Sequence, residues 1–496
     1  MSSKKLVTIV LLLIAVLLIG ACVSQPAPAP QPAQEEAATP AEEVQEEAAA
    51  PAEEAQEEAT APAEEVQGEA AAEEPVEIGK QVPITIAIND SPWFGGFEAV
   101  VQKYEEETGN VVNLEVTPFG GLLEKIRNAV LDSESPYDLI NINGPWTVEF
   151  YEGGFLTPLD EIEPGFQLPP EVFTYEDSYF WNEEKQWRTS DGGKLMAFPP
   201  NGNIQLLFYR ADLYEEAGLE PPETWDDVFA ACEKIADGSN LYGMVVRGER
   251  GNAINYNWTP YLMGFGGDYV KDPENGDFTV TVNSPEAKAA LDLYIELANK
   301  CGPPNSGAIG QGDMIQLLTT GKALNAVVVT AAWSSMDDPE KSAVVGKINT
   351  TVIPKPANGT HATAIGNWHF GIPKNISPER QQAALAFAKW FLTYDAQYAY
   401  AEAGSIPVRS DVFESDLADK PEFRWMKSYL DSMPYAHQYY GFKEGTQVEE
   451  IMGLRLNQAL IGELSSAKAL NLAAEEMYQL FLENGRNTGK LEPLPE

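Results

Sequence analysis

The chain has 496 residues, 44% hydrophobic and 10% aromatic, enough for two to four average domains or one large two-lobed protein. Its 76 acidic and 32 basic residues give a net charge of −44, which argues against nucleic acid or an anionic lipid surface as the main partner. Three Cys and three His exclude a disulfide scaffold and leave little material for a Cys/His metal centre, so no cofactor or metal is expected.

The N-terminal residues read as an address. Lys4-Lys5 precede an apolar run from Leu6 to Ile19, interrupted only by Thr8, which ends in Ile19-Gly20-Ala21-Cys22. A short basic region, an apolar stretch and small residues at its end form an export signal over residues 1–21, and the run falls short of the roughly 20 residues that span a bilayer. A Cys directly after the small residues resembles the lipobox of bacterial lipoproteins, which implies lipidation at Cys22 and a membrane attachment through that lipid alone.

Val23 to Ile78 holds 16 Glu, no Lys or Arg and no aromatic residue. An 11-residue unit, P-A-E-E-[VA]-Q-[EG]-E-A-[AT]-A, repeats over Pro40–Ala50, Pro51–Ala61 and Pro62–Ala72. Such a segment has too little apolar surface to offset chain entropy, and a Pro in each repeat interrupts the helix that Ala and Glu favour. With the lipidated Cys, residues 22–79 are therefore expected to form a disordered acidic tether, with a reach of roughly 40 Å as a flexible coil.

From Val82 the pattern changes. Ile84–Ile88 alternates and is β-branched, Phe97–Thr108 has helical spacing closed by Gly109, Val111–Val116 reads as a strand, Leu122–Leu131 as a helix and Asp138–Ile142 as a third strand. Strand–helix alternation at this spacing predicts an α/β fold with a parallel sheet covered by helices. Further on, Ser284-Pro285-Glu286 and Ser377-Pro378-Glu379 each place Ser at the N-cap and Pro in the first turn, and Thr224-Trp225-Asp226-Asp227 is a weaker capping box. The stripe Ala287, Leu291, Tyr294, Ile295 and Ala298 forms the buried face of the helix after Ser284.

Catalytic signals are sparse. His361, His369 and His437 are scattered, and no H-E-x-x-H, G-x-S-x-G or G-x-x-x-x-G-K-[ST] motif is present. Lys271–Asp277 superficially suggests a calcium loop, but Asn275-Gly276 between strand-like runs reads better as a hairpin turn. The aromatics are more informative. Trp93, Trp146, Trp258, Trp333 and Trp368 sit beside small or polar residues near predicted strand ends, where ligands bind in parallel α/β sheets. Flat aromatic faces suit the C–H faces of sugar rings, and neighbouring Asn or Arg side chains suit the hydroxyls. Each of these Trp residues could equally fill core.

Several fragments, in order along the chain, resemble the extracellular solute-binding proteins of bacterial ABC importers, in the sugar-binding branch. They are Glu105–Gly109 with Val111-Val112, Pro136–Ile140, Phe155–Asp160, Ile204–Leu213, Pro221–Asp226, Leu262–Asp268, Ala331–Trp333, Gly366–Trp368 and Ile406–Arg409. The resemblance implies a type II-like periplasmic-binding-protein fold, two α/β lobes joined by a hinge around a ligand cleft. Residues 80–205 with 355–403 would form one lobe and 206–354 with 404–496 the other. It further implies a ligand site from Trp93, Asn143, Trp146, Asn367 and Trp368 on the first lobe, Tyr209 near the crossover, and Trp258, Trp333 and Arg409 opposite, with Trp333 stacking on a sugar ring. Arg409 has a second reading, a salt bridge to one of many carboxylates. The pattern departs from the family where Asn367 replaces a Gly and His369 follows the Trp.

The implied protein is a non-enzymatic monomer on the outer side of the cell membrane. It would capture a mono-, di- or oligosaccharide or polyol for an ABC permease. Alternatives are a surface-anchored hydrolase, which needs a carboxylate pair at fixed separation, and a binder of another solute such as a polyamine. Cys232, on the stripe Trp225, Val228, Phe229, Cys232 and Ile235, and Cys301, just after Ala298, are either a disulfide pair or two buried thiols.

Overall fold

Ile84–Asn89 is almost entirely buried on both faces, as a β-branched strand inside a helix-covered sheet should be. It pairs in parallel with Val112–Thr117 on one side and Leu139–Asn143 on the other. In the computed structural model, which describes residues 76–496, these strands belong to a five-stranded sheet. The export signal, Cys22 and nearly all of the acidic segment lie outside the described residues. The helix Phe94–Thr108 ends as predicted at Gly109, whose φ of 66° is the left-handed conformation that a side chain would oppose. The helix Phe119–Leu131 follows the second strand.

The sheet departs from a purely parallel one at its other side. Trp368–Gly371 runs antiparallel to Leu139–Asn143, with Trp368 opposite Asn143, and Ala197–Phe198 runs antiparallel beyond it. These strands come from distant parts of the chain, so their place could not be read from local spacing. Phe97 packs on Phe370 and on Phe387 and Phe391 of the helix Pro378–Phe391, giving this lobe an aromatic core.

The second lobe is built on three antiparallel strands in the order Asn325–Val329, Gln205–Arg210, Ile348–Thr351. Parallel bridges Tyr242↔Ala323 and Val245↔Ala326 lay the segment 242–246 beside the first of them. Ser284 caps the helix Pro285–Cys301 by accepting from the Ala287 N–H, Ser377 does the same for Arg380, and Thr224 with Asp227 forms the full capping box of Trp225–Ile235. Of the predicted stripe, Ala287, Leu291, Tyr294 and Ala298 are buried and Ile295 is half-buried. Cys232 and Cys301 are joined as a disulfide, their Cα atoms 5.9 Å apart, tying the ends of these two helices together. The Lys271–Asp277 segment is a hairpin, with Val270–Asp272 antiparallel to Asp277–Val280 and Gly276 at φ 78°.

The lobes are linked by several passes of the chain. One runs from Ala197–Phe198 in the first sheet to Gln205–Arg210 in the second, and another returns from Ile348–Thr351 to Trp368–Gly371. A bridge between Ile204 and Ile365 holds these two passes side by side. A third follows the helix Tyr394–Glu402, which packs on Phe94–Thr108, and leads to Trp425–Ser432, which packs on Ile348–Thr351. Two long helices, Gly445–Leu460 and Ser466–Glu483, then complete the second lobe against Asn252–Gly264 and Pro285–Cys301. None of the described helices is long and apolar enough to cross a membrane.

Candidate ligand-binding site

A cavity of about 400 Å³ opens between the two sheets. The first lobe contributes the carboxyl end of its first strand, Asn89 and Asp90, together with Trp93, Phe119, Asn143 and Trp368. The second contributes the turn after 242–246, with Arg247, Glu249 and Arg250, the first residues of the helix Asn252–Gly264, and Gln311. Asn203 and Gly366 line it from the crossing segments, and Tyr439 from the C-terminal part. The mixture of flat rings and amide side chains is what a polyhydroxylated ligand requires: apolar faces for C–H groups and fixed donors and acceptors for hydroxyls.

The side chains are held by their own neighbours. Asn203 accepts from the Ala331 N–H at 3.1 Å, and its carbonyl accepts from the Gly366 N–H at 2.8 Å, so the second lobe and the other crossing segment fix it. Gly366 is required there, because a Cβ would sit 2.0 Å from the Tyr256 hydroxyl. Tyr256 stacks on Tyr439 with centroids 5.6 Å apart. Trp93 Nε1 and Asn143 Oδ1, on two residues that line the cavity, are buried with no hydrogen-bond partner among the described residues. Arg247 is buried and lies over the Tyr256 ring at 6.0 Å. Burial holds its pKa below the ordinary arginine value. Just behind, Glu449 accepts from Asn252 Nδ2 at 2.7 Å, and desolvation pushes its carboxyl up to about 7.

Of the residues expected at the site, Trp93, Asn143 and Trp368 line this cavity. Trp146 does not line it, but packs on two residues that do, Phe119 at 5.1 Å and Trp368 at 6.0 Å between centroids. The others lie elsewhere. Asn367 turns to the opposite side of its segment, donating to Ser178 Oγ and Tyr179 Oη and accepting from Gln438. His369 likewise points away from the cavity side, to Ser178, and burial pushes its pKa well below the usual histidine value. Tyr209 packs edge-on against Tyr214 in a separate small core cluster.

Trp258 is wholly buried in its helix against Tyr269. Trp333, the expected stacking residue, has Arg424 over its ring at 4.4 Å and donates its indole N–H to the Glu422 carbonyl; it borders a different cavity of about 220 Å³. Arg409 takes the salt-bridge reading, bonded to Asp411 at 2.7 Å, Glu171 at 3.3 Å and the Leu392 carbonyl at 2.9 Å. A Trp near a strand end can turn to either side of the sheet, and only the packing of both lobes selects the side.

Asn89, Asn203, Arg247, Asn252, Tyr256 and Tyr439 line the cavity and carried no motif of their own. Asn89 and Arg247 follow directly on strand-like runs, so the strand-end rule that drew attention to Trp93 would also have found them. Tyr439 carried no such signal.

Two sheets, several crossovers and a polar-aromatic cavity between them define a two-lobed solute-binding protein. The chain belongs to the bacterial extracellular solute-binding protein family, whose model matches residues 90–398. It is 26% identical over 380 residues to a mannitol-binding protein of Pseudomonas aeruginosa, covering 71% of this chain and 82% of that protein. Maltose-bound MalE3 of T. maritima superposes with a TM-score of 0.71 at 25% identity, over 80% of this chain and all of that one. A ribitol-bound ABC transporter solute-binding protein from Agrobacterium radiobacter shares the fold, with a TM-score of 0.70 at 23% identity over 82% of this chain and 100% of its own.

Proposed function

We propose that this protein captures a carbohydrate or polyol outside the cytoplasm and presents it to the permease of an ABC importer, without changing it chemically. The observation that carries this reading is the cavity itself, where Trp93, Phe119, Trp368, Tyr256 and Tyr439 alternate with Asn89, Asn143, Asn203, Asn252 and Gln311. The mannitol-, maltose- and ribitol-binding relatives support the ligand class. Trp93, Asn143 and Trp368 are the ligand-contacting residues of the first lobe in this reading, with Trp146 behind them.

In the same reading Cys22 carries the lipid, and the Glu-rich segment spaces the binding unit from the membrane. The protein works as a monomer, with lobes of about 80–205 plus 355–403 and 206–354 plus 404–496. Lobe closure about the crossing segments traps the ligand.

Thermal-shift screening against hexitols, pentitols, mono- and disaccharides and spermidine tests the ligand class, because a ligand that binds only the folded state raises the unfolding temperature. At about 100 times its Kd, a ligand adds about 2.7 kcal/mol of stability. A shift with at least one sugar or polyol is the expected result. A shift with spermidine alone, or with none of the sugars and polyols, overturns it.

A further inference from the structure

Arg247 is the buried charge that the neutral-ligand picture leaves unexplained. It is 6% exposed, its Nε has no hydrogen-bond partner among the described residues, and it lines the cavity between the lobes. Glu249 and Glu449 act on it through their fields, but neither forms a salt bridge with it. A guanidinium removed from water without a paired anion is costly, and the ring of Tyr256 at 6.0 Å offsets only part of that cost.

The element that follows points the same way. The 13-residue helix Asn252–Gly264 starts at the cavity, and Gly251 at its N-cap, with φ 97°, supplies no side-chain cap. The first turn of such a helix carries backbone N–H groups and a partial positive charge that favour an oxyanion. Arg247 and this helix start flank the same turn and line the same cavity.

We propose that the ligand of this cavity is an acidic sugar derivative, a uronate or aldonate, whose carboxylate is held by Arg247 at the first turn of the Asn252–Gly264 helix. The inference rests on the carbohydrate reading above and narrows it. A planar guanidinium matches a carboxylate in two parallel N–H···O bonds. The remaining polyol chain or ring would lie against Trp93 and Trp368 and the amides around them. A singly charged carboxylate fits better than a doubly charged phosphate ester, because Asp90 and Glu249 line the same cavity and would repel a second negative charge.

Titration calorimetry on the purified protein at neutral pH tests this, with galacturonate against galactose, gluconate against glucitol, and glucose 6-phosphate as the phosphate probe. The acid of at least one pair is expected to bind about tenfold or more tightly than its neutral counterpart, an advantage that shrinks at high salt. Arg247→Gln is expected to remove the preference, so that the acid and the neutral member of each pair bind with similar affinity. Should that variant fail to fold, Arg247→Lys keeps the charge and stem and is expected to weaken acid binding while retaining a reduced preference.

Neutral members binding as tightly as the acids, or an acid preference that survives Arg247→Gln, overturns this inference and leaves the carbohydrate reading intact. Tighter binding of glucose 6-phosphate than of any carboxylate overturns the assignment of the anion. Binding of none of these probes overturns this inference, while the carbohydrate reading stands or falls on the wider thermal-shift panel.

Discussion

Trp368 and His369 are neighbours in one strand, yet one lines the cavity and the other is sealed behind it against Ser178. Strand alternation imposes this, since successive side chains point to opposite faces. Trp368→Leu keeps apolar volume but removes the flat face. It is expected to weaken sugar or polyol binding by about 1–3 kcal/mol in calorimetry, with the unliganded unfolding temperature checking that the fold persists. Glu449 makes a different prediction at the same scale. Its folded pKa of about 7 lies above the unfolded carboxylate value, so the native state binds the proton more tightly and stability falls as pH rises from about 4.5 through 7. Glu449→Gln keeps an acceptor for Asn252 and removes the ionisation. Denaturant unfolding should show the variant more stable than the parent at pH 8, by up to about 3 kcal/mol, and nearly equal to it at pH 4.

Among elements, the disulfide between Trp225–Ile235 and the end of Pro285–Cys301 spans 69 residues of sequence. Closing a loop of that size is worth about 4 kcal/mol by chain entropy. Cys232→Ala with Cys301→Ala should lower unfolding free energy by about that amount, and neither cysteine should react with a thiol reagent in denatured, unreduced protein. Gly202 lies in the first crossing segment, and a Cβ there would meet the Pro407 carbonyl at 2.3 Å and the Tyr175 hydroxyl at 2.6 Å. Because the nearer atom is backbone, Gly202→Ala must push two crossing segments apart. A loss of about 1–3 kcal/mol in stability is expected, read as a lower denaturation midpoint.

For the whole molecule, the lipid reading of Cys22 is checked by fractionation. Cys22→Ser should move the protein from the membrane pellet to the soluble extracytoplasmic fraction, and full retention in the pellet would count against anchoring. The fold was legible wherever the code is local. The strand and helix of Ile84–Thr108, the caps at Ser284, Ser377 and Thr224, and the hairpin at Gly276 each depend on residues within a few positions of one another. The lining of the candidate cavity was legible in part. Trp93, Asn143 and Trp368 reach the cavity, whereas Trp258, Trp333, Tyr209, Asn367 and Arg409 are committed to packing, hydrogen bonds or ion pairs elsewhere.

By itself, then, the amino-acid order determined the α/β alternation, the helix ends, and the order of family motifs along the chain, because propensity, capping and turn chemistry act over short distances. Only the tertiary structure decided which strand-end side chains face the cleft, that Cys232 meets Cys301, and that Arg247 sits buried beside Tyr256. Those outcomes depend on the register of strands more than 150 residues apart, such as Trp368 opposite Asn143, and on which face each segment presents once both lobes close on their cores.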